Sequence, residues 1–401
     1  MPFQPDRLAA EIRDLLERGL VHSANSLLDF LPDKHTVPQR DLRKEDAKIK
    51  ALFLSKEYER CYQETKSSLG FSQASVFLGH YAKYLCLVRN SVEKTLEENI
   101  ERNSAHRSEG VKELLDTLKE HTDSYSLYLM AEAFLFLKQK AEAFDCAVGS
   151  IKKNQLNWAC WEVLLRLAVE DPGLLADNLL EESPLKTIFT IRLHRETDSE
   201  AEQCRRLLSE NEALLGQSYL AQETKCFLLY QERNFEKARE EYEALGRAHP
   251  FRLDHVDTLS NILFILGDIH ALTLLANRVT SVDRFRPESC VALGNCNSLR
   301  GNHEEAILFF RRALKLDPAH STAWTLMGHE YIELSNLAGS IECYRRAVDK
   351  NKKDYRAWYG LGQAYEMLKL PTYAVYYYKT AFSVKKDCRI QEAIEECEKL
   401  C

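Results

Sequence analysis

Residues 287–320, 321–354 and 355–388 read PESCVALGNCNSLRGNHEEAILFFRRALKLDPAH, STAWTLMGHEYIELSNLAGSIECYRRAVDKNKKD and YRAWYGLGQAYEMLKLPTYAVYYYKTAFSVKKDC, one 34-residue pattern written three times in phase. Trp324 and Trp358 hold one position, Gly294, Gly328 and Gly362 a second, and Ala306, Ser340 and Ala374 a third. Phe310, Tyr344 and Tyr378 hold a fourth, and Ala313, Ala347 and Ala381 a fifth. A period this long and regular means stacked helical hairpins.

Within the unit from Ser321, Trp324, Met327, Gly328 and Tyr331 follow i, i+3, i+4, i+7, which places them on one face of a first helix. Ser340, Tyr344 and Ala347 do the same on a second helix, after a turn at Ser335-Asn336. Gly328 and Ser340 carry almost no side chain where the helices are expected to touch, so the backbones approach while Trp324, Tyr331 and Tyr344 fill the space beside them. Such a hairpin cannot bury its apolar face alone and needs neighbours. The spacing resembles the tetratricopeptide repeat, which implies an all-α solenoid of helical hairpins wound into a right-handed superhelix, with Trp324, Gly328, Trp358 and Gly362 as repeat core.

The frame extends backwards. A unit from Tyr219 has Cys226, Ala238, Tyr242 and Pro250 in place, and one from Leu253 has Leu259, Ser260, Leu263 and Ala276. Five units thus run from 219 to 388. In the second, Leu272 stands where a small residue is expected, which predicts a splayed hairpin.

Composition agrees with this reading. The 401 residues are 45% hydrophobic and 29% charged, few are Gly or Pro, and the formal net charge is -7. Without a block of Lys or Arg, a nucleic-acid partner is not expected. No apolar run approaches the ~20 residues of a membrane helix, so no membrane partner is expected, and Asp6, Arg7 and Glu11 leave no signal-peptide core. Twelve cysteines contain no C-x-x-C pair, and Cys61, Cys86, Cys146, Cys160, Cys226 and Cys343 sit where any small apolar residue would serve. They read as reduced structural thiols of a nuclear or cytosolic protein, with Cys388, Cys397 and Cys401 as a possible exposed cluster.

Upstream, Leu8, Ile12, Leu15, Leu16, Leu27, Leu28 and Leu31 have helical spacing up to Pro32 and Pro38. A hairpin is expected over about 41–69 and a helix over Val76 to Val88, while the polar stretch Asn90 to Gly110 reads as a mobile insertion or frayed extension. Residues 124–157 form a degenerate unit with Ala143 and Ala147, and Trp158 and Trp161 open the next helix. Asp171-Pro172-Gly173 and Ser183-Pro184 are turns. The expected organisation is therefore degenerate helical repeats over 1–170, an irregular helical join over 171–218, five repeats over 219–388, and over 389–401 a capping helix or the start of another repeat.

Catalytic patterns are absent from the sequence. There is no phosphate-binding Gly-Lys loop or dinucleotide fingerprint, and His329-Glu330 is followed by Glu333 where a zinc site needs its second histidine. No enzyme, cofactor or metal is expected. Positions 2, 5, 9 and 12 of each first helix face away from the Trp/Gly/Tyr seam and are expected to line a concave groove. Position 9 reads Asn261, Asn295, His329 and Gln363, with Asp257, Arg300, Glu330, Arg356, Tyr359 and Glu366 nearby. This lining suits an extended peptide, and Asp257, Glu330, Glu333 and Glu366 favour an Arg on it. Val291-Ala292, Thr325-Leu326 and Tyr359-Gly360 stand where a co-chaperone repeat gripping an acidic tail would need Lys and Arg. Tyr378 of the run Tyr376 to Tyr378 is a core position, Pro371 suits a first helical turn, and His303 and His320 are expected in loops without a role.

Arg284-Phe285-Arg286-Pro287-Glu288, Gly294-Asn295, Ser298-Leu299-Arg300, Ala323-Trp324-Thr325 through Gly328-His329-Glu330-Tyr331, and Asp354-Tyr355-Arg356-Ala357-Trp358 through Gly362-Gln363 resemble the subunit 8 family of the anaphase-promoting complex, the cell-division-cycle twenty-three type. The sister subunit 3 shares the Gly-His-Glu and Trp-Tyr-Gly-Leu-Gly phrases. The close resemblance covers about 250–388; Arg18-Gly19-Leu20, His22-Ser23 and Asn157-Trp158 extend it weakly upstream. It implies a non-catalytic scaffold subunit of a ubiquitin ligase, partnered by the other subunits and homodimerising through its N-terminal repeats. It also implies that the C-terminal groove receives an Arg-containing segment of the activator, with Asn295 and Glu330 as candidate contacts. The family usually continues with further repeats, whose contacts would then be absent or supplied by other subunits. A stand-alone peptide-binding adaptor of co-chaperone type is the alternative.

Overall fold

The computed structural model describes residues 4–31, 44–67, 71–97, 104–171, 173, 181–196, 201–215 and 218–399, and among them every regular element is a helix. Contacts cluster the chain into two compact units, Met1–Ala221 and Gln222–Cys401.

Unit 1 opens with α1 (Pro5–Glu17) and α2 (Val21–Leu28). Leu8, Ile12, Leu15 and Leu27 are fully buried. The expected single apolar segment is thus two helices, broken at Gly19, whose left-handed φ of 72° only glycine adopts without strain. The expected hairpin follows as α3 (Lys44–Leu54) and α4 (Tyr58–Ser67). Of the two alternatives for the polar stretch 90–110, the described residues take the helical one: α5 (Gln73–Glu97) extends to Glu97 and α6 (Ser104–Leu118) begins at Ser104, while 98–103 lie outside the described residues. Glu, Lys and Leu side chains, unbranched at Cβ, favour helix even where no apolar stripe marks it. Pro32, Pro38 and Pro172 lie outside the described residues.

Next come α7 (Ser124–Phe136), α8 (Lys140–Lys153) and α9 (Trp158–Glu170). Asp123 caps α7 by accepting from the backbone N–H groups of Tyr125 and Ser126. Ala143, Ala147, Trp158 and Trp161 are all buried. The stretch 171–218 contains α10 (Pro184–Glu196), α11 (Ala201–Glu210) and α12 (Glu212–Leu215), and groups with unit 1.

The division falls within α13 (Tyr219–Gln231), which opens five hairpins with α14 (Phe235–Ala248), α15 (Val256–Leu266), α16 (Ile269–Asp283), α17 (Pro287–Leu299), α18 (His303–Leu316), α19 (Ser321–Glu333), α20 (Leu337–Lys350), α21 (Tyr355–Met367) and α22 (Pro371–Val384). A last helix, α23 (Cys388–Glu398), packs on α22. Arg233, Gly267, Gly301, Ser335 and Lys369, each one period apart, all take left-handed φ between 58° and 79° at the turn between paired helices.

The repeated glycine works differently from the expected backbone approach. A Cβ built on Gly294, Gly328 or Gly362 would lie 2.4–2.6 Å from the ring of Phe310, Tyr344 or Tyr378, so each glycine makes room for the aromatic side chain of its own second helix. The Tyr344 ring is also pressed against Gly360 of the next unit, 2.5 Å from a built Cβ. Trp324 and Trp358 are only half-buried; their indole N–H groups donate to the Pro318 and Lys352 carbonyls and so pin the preceding loops. Leu272 is fully buried where later units hold Ala306, Ser340 and Ala374, and α15 and α16 approach less closely than the later pairs.

The thiols follow the packing. Burial pushes Cys61 up to about 11 and Cys226 and Cys343 up to about 12. Cys388 is exposed but Cys397 is buried under α22, which removes the exposed cluster; Cys401 lies outside the described residues.

Candidate functional site: the inner row of unit 2

Successive first helices lie one period apart, so equivalent positions on neighbours meet. At position 9, Asn295 Nδ2 donates to Asn261 Oδ1 at 2.7 Å and to Ser260 Oγ at 2.8 Å, and both asparagines are buried. This corrects the open polar row: a buried amide must find a partner, and here the partner is the amide of the next helix. His329 accepts or donates at 2.7 Å to the Tyr344 hydroxyl, and burial with the nearby Arg356 charge lowers its pKa to about 4.

Glu330 is buried and both its oxygens are engaged, one by Ser298 Oγ at 2.7 Å and the other by His303 Nδ1 at 2.8 Å. It is therefore a tie between consecutive hairpins, not a free carboxylate, and His303 at the start of α18 has a structural role after all. His320 caps α19 and lies 3.6 Å from Asp257. Burial alone would raise Asp257, but the hydrogen bond and charge of His320 outweigh it and hold the carboxyl low; the same pairing overcomes burial to raise His320.

The remaining expected residues lie at the far end or on the rim. Tyr359 packs tilted on Tyr378 at 5.2 Å. Exposed Glu366 accepts from the Tyr378 hydroxyl at 2.6 Å. Arg300 is exposed and donates to Thr273 Oγ1 at 2.9 Å. Arg356 forms two hydrogen bonds to its neighbour Asp354, at 2.9 and 3.2 Å. Tyr359, Gln363, Glu366 and Arg300 thus keep accessible surface, whereas Asn261, Asn295 and Glu330 do not.

Several inner-row residues escaped the repeat reading. His255 pairs with buried Glu223 at 2.9 Å, and Arg286 with Asp254 at 2.9 Å. A signal existed: Arg252, Arg286, His320 and Asp354 share the last position of four successive units. No periodicity indicates the contacts that join the first hairpin of the row to the last. Arg233, projected by its left-handed turn, donates to Asp387 Oδ2 at 2.5 Å and to the Tyr355 hydroxyl at 3.5 Å. Arg356 Nη1 reaches the Tyr230 hydroxyl at 3.5 Å. A carboxylate and a phenol hydroxyl here hold a guanidinium across more than a hundred residues of chain. No group of three or more possible metal ligands occurs among the described residues, and no described helix is long and apolar enough to cross a membrane.

A family model described as "Anaphase promoting complex subunit 8 / Cdc23" matches residues 33–224, and tetratricopeptide-repeat models match 287–320 and 328–369. The family-specific signal therefore includes the upstream half, where residue phrases alone had shown only a weak resemblance. Anaphase-promoting complex subunit 8 of Arabidopsis thaliana is 35% identical over 304 residues, 72% of this chain and 50% of its own. The cell division cycle protein 23 homolog of Caenorhabditis elegans is 30% identical over 346 residues, 80% of this chain and 49% of its own. The subunit CDC23 of Saccharomyces cerevisiae is 31% identical over 231 residues, 52% and 37% respectively. The chain thus spans half or less of the length of these relatives. The crystal structure of the APC/C hetero-tetramer Cut9-Hcn1 shares the fold, with a TM-score of 0.59 at 15% identity over 89% of this chain and 76% of that one.

Proposed function

The chain belongs to the anaphase-promoting complex subunit 8 / Cdc23 family, and from that membership we propose that it is a scaffold subunit of this ubiquitin ligase, acting in the nucleus and cytoplasm. Its hairpins hold other subunits in place, residues 1–170 pair with a second copy, and the inner row of residues 219–388 receives an Arg-containing activator segment. The observation that carries the last point is the exposed Glu366 carboxylate on α21, the group a guanidinium needs. Glu366, Tyr359 and Gln363 offer accessible polar groups on the same first-helix row.

Peptide binding tests the groove. In fluorescence anisotropy, a peptide of the activator's Arg-containing box is expected to bind the full chain, weaken with salt, and lose about 10-fold in affinity on Glu366→Gln. Equal binding of the same peptide with Arg replaced by Ala would sink the groove assignment. Sedimentation equilibrium tests pairing separately: a monomer at micromolar concentration rules out the homodimer.

A further inference from the structure

The outward face of unit 2 carries an irregularity that only the repeat reveals. In the fourth hairpin Glu342 on α20 accepts from Arg346 one turn later, Oε1 to Nε at 2.7 Å. One period earlier the same two positions are Leu308 and Arg312 on α18, and one period before that Leu274 and Arg278 on α16. Both leucines are largely in solvent, 61% and 70% exposed. Where the fourth hairpin has a carboxylate beside its arginine, each of these two thus has an apolar side chain that the fold does not bury; the first and fifth hairpins hold Glu240 with Ala244 and Tyr376 with Thr380 and so have no arginine there.

Among the described residues the two arginines have no acid partner. The Arg312 guanidinium carbon lies 5.9 Å from the Phe309 ring. Arg278 is half-buried over Gly246 of α14, where its Nη1 would lie 2.8 Å from a built Cβ, and its buried Nε has no hydrogen-bond partner. Burial pushes its pKa down, since no carboxylate offsets the lost hydration. Single exposed leucines are ordinary. Here two of them occur at one repeat position, on second helices that both pack against α17, each beside a guanidinium missing its counter-charge.

We propose that the outward faces of α16 and α18 form a docking surface for an acidic amphipathic helix of a partner protein. Its apolar side chains cover Leu274 and Leu308, and its carboxylates pair with Arg278 and Arg312 as Glu342 pairs with Arg346. Charge complementarity selects this partner: a basic helix meets two unpaired cations, and a purely apolar one leaves them desolvated and unpaired. The surface lies on second helices and is independent of the inner row.

The repeat itself supplies the control. Leu274→Glu with Leu308→Glu installs in both hairpins the i, i+4 Glu–Arg pair of the fourth, so helicity is retained. The probe is a fluorescent peptide of about 15 residues with Leu at i, i+3, i+4 and i+7 and Glu flanking that face; its twin carries Lys for Glu. On the full chain the Glu peptide is expected to bind at least about 10-fold tighter than the Lys peptide. It should lose about 10-fold on the double Leu→Glu variant and on Arg278→Gln with Arg312→Gln. The proposal is overturned if the Glu peptide fails to bind, if the Lys peptide binds as well, or if the double Leu→Glu variant binds undiminished.

Discussion

At Gly328 the absence of one methyl group decides how two helices meet, because a Cβ there would lie 2.6 Å from the Tyr344 ring. Gly328→Ala is expected to cost about 1–3 kcal/mol through overpacking. Gly301→Ala, where nothing lies within 4 Å but φ is +79°, is expected to cost roughly 1 kcal/mol through backbone strain alone. Urea titrations separate the causes: in a Tyr344→Leu background the cost of Gly328→Ala is expected to shrink, whereas that of Gly301→Ala stays the same. Protons also act residue by residue, with opposite signs. His329, held neutral to about 4, contributes a loss of stability as pH falls from 6.5, because the unfolded chain takes up the proton first. His320, raised by Asp257, contributes stability that is full below 6.5 and fades as pH rises through its folded value. Melting temperatures between pH 4 and 8 should show His329→Gln flattening the acid limb and His320→Gln removing the gain on its acid side. A shared response of both variants would contradict this assignment.

Among the elements, α23 is tied to the rest of unit 2 through its N-cap residue. Asp387 caps it by accepting from the Arg389 N–H at 3.1 Å and also holds Arg233 from the first hairpin of the row. The hydrogen bond to Arg233 is the main reason its carboxyl stays below the usual range. Asp387→Ala removes both contacts, at about 0.5–2 kcal/mol for the cap and a further 0.2–1 for the partly exposed pair. Asp387→Asn keeps the cap and loses the charge. Hydrogen exchange over 388–398 should accelerate most in Asp387→Ala and modestly and alike in Asp387→Asn and Arg233→Gln. Equal acceleration in all three would mean that the ion pair, not the cap, orders the helix.

For the whole molecule the relevant fact is that contacts cluster the chain into two compact units. The four tryptophans divide evenly, Trp158 and Trp161 in unit 1 and Trp324 and Trp358 in unit 2. Stability in stacked hairpins is a sum of local terms, so a fault is felt mainly by its neighbours. With Trp324 and Trp358 replaced by Phe, the fluorescence midpoint in urea is expected to be unmoved by Gly328→Ala, whereas with Trp158 and Trp161 replaced it should drop. A common shift of both reporters would mean that the units unfold as one.

The sequence alone determined the hairpins, their period and their core, because a stacked repeat must bury the same positions in every unit and so writes its pattern along the chain. It also carried the positions of the left-handed turns and the missing carboxylates beside Arg278 and Arg312, although both emerge only when units are compared. The use made of the inner-row polar residues was not legible. Asn261, Asn295 and Glu330 look like ligand-binding groups in one dimension, and become internal ties once neighbouring helices bring a second amide, a serine and a histidine within hydrogen-bond reach. Nor does any period reach from Arg233 to Asp387. Whether a polar side chain faces a ligand or another side chain depends on distances between helices, and those are set by packing in three dimensions rather than by spacing along the chain.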